Sequence, residues 1–545
     1  MNMMRYSKAI LFISSLLLLS CSKEINTVQT TEIDIAEEQK FGPEIVLGEK
    51  LNNPYSLSNM QAAYESLVRT KSGEGADVEE LEANCLYVRF LPKDSTDVAI
   101  LQSSNLELFD YPLDYDIEVE GDTYHDPSIP EGQITWHYTT VKPDFEFPNI
   151  EYEILEECYI PEETEDTKAG GSSFASELEM LAILNADLPE KYQPKAETKA
   201  LGLGKKPSGT IRVENDNTYR LESIRGVKVR CHYLVNISSA YTDENGKYTI
   251  GNRYVCNPHY AIVYENTKDF VIWGNWAFVA AANHNLGYHS NSGYNADVIA
   301  SDNEWRWAVI NNAAYDFYKM CSSEGLKTPP SGLKIWCWPN ADYSSAPMLH
   351  HLLGVNSGTI SSSLALVLAP GLATAIIYSA TLLISSGLPD ITIGMTYDAP
   401  LAGGDVINVT PNSQYKYHYY DVWHELFHAS HFSQAGESVW GPYINYIVTH
   451  GFGYGDGTAK ESTGKNICEL GESWAYANQY LESKNYYVGY WFDDSISSIN
   501  YLMKSSLSRK QIYDCLTKDV KSIDDLKSKL ISKYPSKSSS INAAF

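Results

Sequence analysis

Positive charge is what this chain is shortest of: 41 lysines and arginines stand against 69 aspartates and glutamates, a formal net charge of -28 over 545 residues. A phosphate-binding surface needs the opposite sign, so no nucleic-acid partner is expected. The acidity favours solubility and points only weakly to a basic substrate. Cysteine is sparse as well. Its nine positions include no CxxC pair and no compact framework, so disulfides are allowed in an oxidising compartment but not required. Proline is missing from Ser413 to Gly436, and that local absence matters most.

The proline-free stretch holds His424-Glu425-Leu426-Phe427-His428, with strong helix formers around it and Gly436 where the pattern stops. It reads as one helix. One turn apart on such a helix, His424 and His428 share a face and can bind one metal ion, while Glu425 lies about 100° round, beside the metal rather than on it. That is where a general base takes a proton from a metal-bound water, whose pKa zinc lowers to about 7. A third protein ligand is then required. His431 lies about a further turn along, too far to share the ion. Gln434 stands where the longer three-histidine pattern needs a histidine.

A glutamate from a later helix remains. After a glycine-rich loop, Gly451 to Gly464, the run Ile467 to Leu481 is helical in pattern and offers Glu472 and Glu469. Glu472 sits among Trp474, Ala475 and Ala477, a packed setting in which a carboxylate is costly without a partner. With it, His424, Glu425 and His428 resemble the gluzincin arrangement of zinc metallopeptidases. The Gly-Glu-Ser-Trp-Ala setting favours Glu472 over Glu469 on the same resemblance. The whole chain is similar to a group of uncharacterised Bacteroidetes lipoproteins that pair such a motif with a carboxypeptidase-regulatory-like domain.

The resemblance implies a zinc cofactor held by His424, His428 and Glu472, Glu425 as the base, and a protein or peptide substrate. Developing charge on the scissile carbonyl needs a further donor, for which Tyr476 and His450 are the candidates. The strand-like run Leu388 to Gly394 before the motif helix is expected at a sheet edge, where it pairs with extended substrate.

The N-terminus sets the location. Arg5 and Lys8 precede an apolar run from Ala9 to Leu19, too short to span a membrane alone and right for a signal peptide. It ends Leu18-Leu-Ser-Cys21, which resembles a lipobox and implies lipidation at Cys21. Ser22-Lys23-Glu24 resembles a surface-export signal, so an outer-membrane lipoprotein is expected, on the cell surface or the periplasmic face, with this signal favouring the surface. The uncharged run Leu364 to Ile384 is long enough to span a bilayer. Pro370, Gly371 and Ser379 within it favour a buried helical hairpin instead.

The chain is therefore expected to be multidomain α+β. Residues 1–20 are the signal peptide, 21–53 a tether, 54–162 a small α/β domain and 163–206 a linker with one short helix. Residues 207–268 alternate as strands with a hairpin turn at Asn245-Gly246, and the segment Thr242 to Tyr248 resembles a carboxypeptidase-regulatory-like β-sandwich of transthyretin type, within which Cys231 and Cys256 could bridge. Residues 269–545 form the zincin-like α+β catalytic domain, closed by an amphipathic helix from Ser508 to Leu530 and a frayed tail. His350 and His351, neighbours pointing apart on a helix, are structural. Two other readings stay open: a non-catalytic cell-surface binding protein with a degenerate peptidase domain, and a structural zinc site in which only Cys468 lies near the motif.

Overall fold

The computed structural model describes residues 44–73, 77–93, 95–130, 133–162, 174–194, 204–274, 281–337, 344, 346, 348, 351–352, 390–393, 414–450, 462–483 and 493–545. The expected signal peptide, Cys21, most of the tether and the run 364–384 lie outside these residues. Among the described residues no helix is long and apolar enough to cross a membrane. The fold is mixed α+β.

The N-terminal unit contains β1 (Val46–Lys50), α1 (Leu57–Ser72), β2 (Cys85–Leu91), α2 (Ser95–Ser103), β3 (Tyr115–Val119), β4 (His137–Val141), β5 (Glu151–Cys158) and α3 (Phe174–Asn185). Strands β4, β2 and β5 form one sheet in that order, and β1 pairs with β3. The tether is thus shorter than expected: Ile45 and Leu51 are buried, and apolar side chains flanking a strand drive it into the fold. Helix α1 starts at Ser56, whose hydroxyl accepts from Asn59 N at 3.4 Å. The helix expected within the linker is also part of the core. Leu178, Met180, Ala182 and Ile183 of α3 are buried, and Asn59 Nδ2 donates to Ala182 O at 2.9 Å. A helix this apolar does not stay solvated.

Glu179 is buried with them and accepts from the Tyr55 hydroxyl. Burial raises its carboxyl to about 7, against hydrogen bonds from Tyr55 and Asn236 that lower it. Between about pH 4.5 and 7 folded Glu179 keeps a proton that the unfolded chain has released, so stability falls as pH rises through that window. Glu179→Gln removes this titration and keeps an acceptor for Tyr55. It is expected to stabilise the protein by about 2–3 kcal/mol at pH 8 and by much less near pH 4, read from urea unfolding at both pH values.

From Ser208 the chain builds two further sheets. The strands are β6 (Ser208–Asn215), β7 (Arg220–Ser223), β8 (Val227–Tyr233), β9 (Asn236–Tyr241), β10 (Lys247–Thr249), β11 (His259–Asn266), β12 (Phe270–Trp273), β13 (Asn283–Tyr288) and β14 (Ala296–Val298). Helix α4 (Trp305–Glu324), β15 (Leu333–Cys337) and β16 (Ile391–Ile393) follow. The smaller sheet runs β10-β6-β14 with β7 on β6; the larger runs β16-β15-β12-β11-β8-β9 with β13 on β11.

This topology corrects the expected boundary at 268/269. Strands β11 and β12 are antiparallel neighbours joined by a turn at Thr267 to Asp269, and β15 and β16 extend the same sheet in parallel. Strands β8, β9 and β11, expected in a separate sandwich, therefore share their sheet with strands of the expected catalytic domain. Asn245-Gly246 does make a turn, with Gly246 at φ 71. It connects strands of different sheets, β9 on β8 and β10 on β6, rather than a paired hairpin. Cys231 and Cys256 are both buried and are not bridged to each other.

The N-terminal unit docks on the part of the large sheet formed by β8, β11 and β13. Arg230 donates to Leu108 O at 2.8 Å, His259 pairs with Glu120 at 2.8 Å, and Asn285 N donates to Asp122 at 3.0 Å. One continuous apolar core reaches from Ile45 to Ile541.

The remaining helices are α5 (Gln414–Ala435), α6 (Glu437–His450), α7 (Thr463–Glu482), α8 (Asp493–Ser505), α9 (Arg509–Tyr513), α10 (Ile523–Lys533) and α11 (Ser538–Ala544). The single helix expected over 508–530 is two, each started by its own serine cap, Ser508 and Ser522. The tail is not frayed: α11 buries Ile541. His351 is structural, with Nδ1 2.9 Å from the buried Asp390 carboxylate.

Candidate metal centre

The motif helix is α5. Gly436 ends it at φ 80, a left-handed conformation that glycine adopts without strain, with its N–H donating to Phe432 O at 2.8 Å. Helix α5 packs against α4, α6, α7 and β16. Aromatic side chains seat it: the Trp423 indole donates to Ala313 O of α4 at 2.9 Å, and Phe427 meets Phe317 of α4 and Trp474 of α7 edge to face. Gly464 lets α7 approach α6, since a Cβ there would lie 2.8 Å from Tyr446 Cβ. Arg509 fastens the far end of α7 through Asn478 at 2.7 Å and through Glu482, and reaches α4 at Glu324, 2.6 Å away.

These contacts bring His424, His428 and Glu472 together, all buried. The two Nε2 atoms are 3.2 Å apart, and Glu472 Oε2 lies 3.3 Å from His424 Nε2 and 3.5 Å from His428 Nε2. Ligand atoms about 2.0–2.1 Å from a tetrahedral zinc stand about 3.3–3.4 Å from one another. The triangle therefore fits one such ion, and among the described residues this is the one group of histidine, cysteine and carboxylate side chains with that property.

Charge is arranged accordingly. Burial alone would raise the Glu472 carboxyl, but the His428 and His424 rings beside it hold it well below the usual carboxylate range. His428 is lowered by burial, partly offset by Glu472. Both shifts favour the forms that bind a metal, neutral imidazole and ionised carboxylate. Comparison with protein-family models, curated proteins and solved structures finds no match.

The other expected site residues divide clearly. Glu425 is fully buried next to His424 on α5. Glu469 is not in the group; it is partly exposed, 4.0 Å from Lys465. Tyr476 packs its ring on His424, centroids 4.3 Å apart. His450 is the last residue of α6, with its side chain outside the described set, and Cys21 is outside it altogether. His431 stays out of the ligand group; its buried ring meets Trp440 edge to face. Cys468 donates weakly to Tyr443 O at 3.8 Å, and burial and Glu472 raise its thiol, so it is no ligand.

Two contacts were missed at the level of sequence. Gln479 Oε1 lies 3.2 Å from His424 Nδ1, and the Tyr443 hydroxyl donates to Glu472 Oε1 at 3.1 Å. Gln479 follows Glu472 by seven residues, two turns on one face, so a signal existed. Tyr443 belongs to α6, a helix with Pro442 inside it that composition does not announce.

Proposed function

We propose that this protein is a zinc-dependent metallopeptidase of zincin-like type, exported and anchored through a lipid on Cys21. The observation that carries the reading is the triangle of His424, His428 and Glu472 ligand atoms at tetrahedral spacing, with Glu425 of the same motif buried beside it. When bound, zinc supplies Lewis-acid polarisation of a carbonyl and a water acidic enough to ionise near neutral pH. Glu425 takes the proton from the attacking water and returns it to the leaving amine. The Tyr443 hydroxyl bonds one oxygen of Glu472, leaving the other to face the histidines. Strand β16 ends the large sheet among the described residues. Its outer backbone groups suit an extended peptide by strand addition.

The test is elemental analysis of residues 22–545, followed by a peptide-library assay with and without chelator. About one zinc per chain and cleavage that chelator abolishes and zinc restores are expected. Absence of zinc under conditions that do not strip it would move the weight to a binding protein with an inactive peptidase fold. Zinc without cleavage of any library peptide would refute peptidase action alone.

A further inference from the structure

We infer that Gln479 is a positioning residue that sets which nitrogen of His424 faces the metal. The inference rests on the metal-site reading above and assigns a role to a residue outside the ligand set. The His424 Nε2 faces Glu472 and His428, and an imidazole that ligates through Nε2 must present that nitrogen bare, with its proton on Nδ1. The atom beside His424 Nδ1 is the Gln479 side-chain oxygen, at 3.2 Å. An amide oxygen only accepts, so it selects the Nδ1–H form; the opposite amide orientation would place the proton on Nε2 and block ligation.

Helix α7 grips His424 along one stripe. Glu472 lies 3.3 Å from Nε2, Tyr476 packs against the ring at 4.3 Å between centroids, and Gln479 takes Nδ1. Those residues stand at i, i+4 and i+7, the spacing of one helix face. One helix thus supplies the third ligand, a packing surface and the group that fixes the tautomer. His428 differs: its Nδ1 is buried with no hydrogen-bond partner among the described residues, and the Trp440 and Tyr443 rings lie beside it. Orientation by hydrogen bond therefore falls on His424. Gln479 is buried, so water does not replace the amide when it is removed.

The experiment compares wild type with Gln479→Met, similar in volume but without the acceptor, and Gln479→Glu, which restores one. Zinc affinity is measured by competition with a chelator of known affinity. The His424 tautomer is read in metal-free protein by imidazole 15N shifts. Gln479→Met is expected to weaken zinc binding about 10–100-fold and to lose the fixed Nδ1–H form, and Gln479→Glu to recover both. Equal melting temperatures of the metal-free variants separate this from a general loss of packing. Zinc affinity of Gln479→Met within twofold of wild type, or a Glu variant that behaves like the Met variant, overturns the role of Gln479 alone. A wild-type chain without zinc affinity overturns the metal-site reading and this one with it.

Discussion

Glu425→Gln is expected to retain zinc and to lose peptide hydrolysis, with kcat/KM falling by about 10²–10⁴-fold, the scale of a general base. The substitution keeps volume and removes the ability to take a proton. Glu425 is fully buried beside His424 and outside the ligand group, so the change leaves all three ligand atoms in place. Elemental analysis and peptide cleavage on the same preparation check it. Activity within tenfold of wild type in a zinc-loaded variant would remove Glu425 from the role of base. A variant that lost zinc would mean that Glu425 supports the ligands instead.

Glu472→Ala is expected to lose zinc, and Glu469→Ala to keep it. Glu472 stands 3.3 and 3.5 Å from the two histidines, whereas Glu469 lies 4.0 Å from Lys465 on the solvent side of α7. Removing a direct ligand should cost more than the roughly 10–100-fold typical of an outer hydrogen bond, so affinity should fall beyond about 100-fold. The wild-type site should also hold zinc under mild acid. Glu472 and His428 both titrate lower than usual, so the binding-competent forms persist as pH falls, and release should centre below the ordinary histidine value of about 6.5. Zinc retention by Glu472→Ala, or its loss from Glu469→Ala, would reassign the third ligand.

The site was more legible than the architecture. The HExxH helix needed only local information: no proline, strong formers, and a glycine at its end, and α5 runs from Gln414 to Ala435 with Gly436 after it. The preference for Glu472 over Glu469 rests on the resemblance of its Gly-Glu-Ser-Trp-Ala setting to a third-ligand helix, and Trp474, Ala475 and Ala477 of that setting are buried. The division at 268/269 failed for a different reason. Alternation marks Gly226 to Cys231, Ala240 to Ile250 and His259 to Tyr264 as strands but carries nothing about which strands pair; β12 joins them through a turn of three residues, and β15 and β16 each join across more than 50 residues of intervening chain. Likewise Asn245-Gly246 specified a tight turn, while the two strands it joins went to different sheets.

By itself the sequence determined the residues of the motif, the helical spacing of His424 and His428, the net negative charge and the helices that carry the motif and Glu472, because each is set by composition or by neighbours within a few turns. Tertiary structure alone decided what depends on distant packing. It placed α7 so that Glu472 reaches the two histidines and Gln479 reaches His424, and it made α3 a core helix rather than a linker. It also carried one sheet through the expected domain boundary. Those outcomes follow from burial of apolar faces contributed by remote segments, and helix or strand periodicity says that a face exists without saying what covers it.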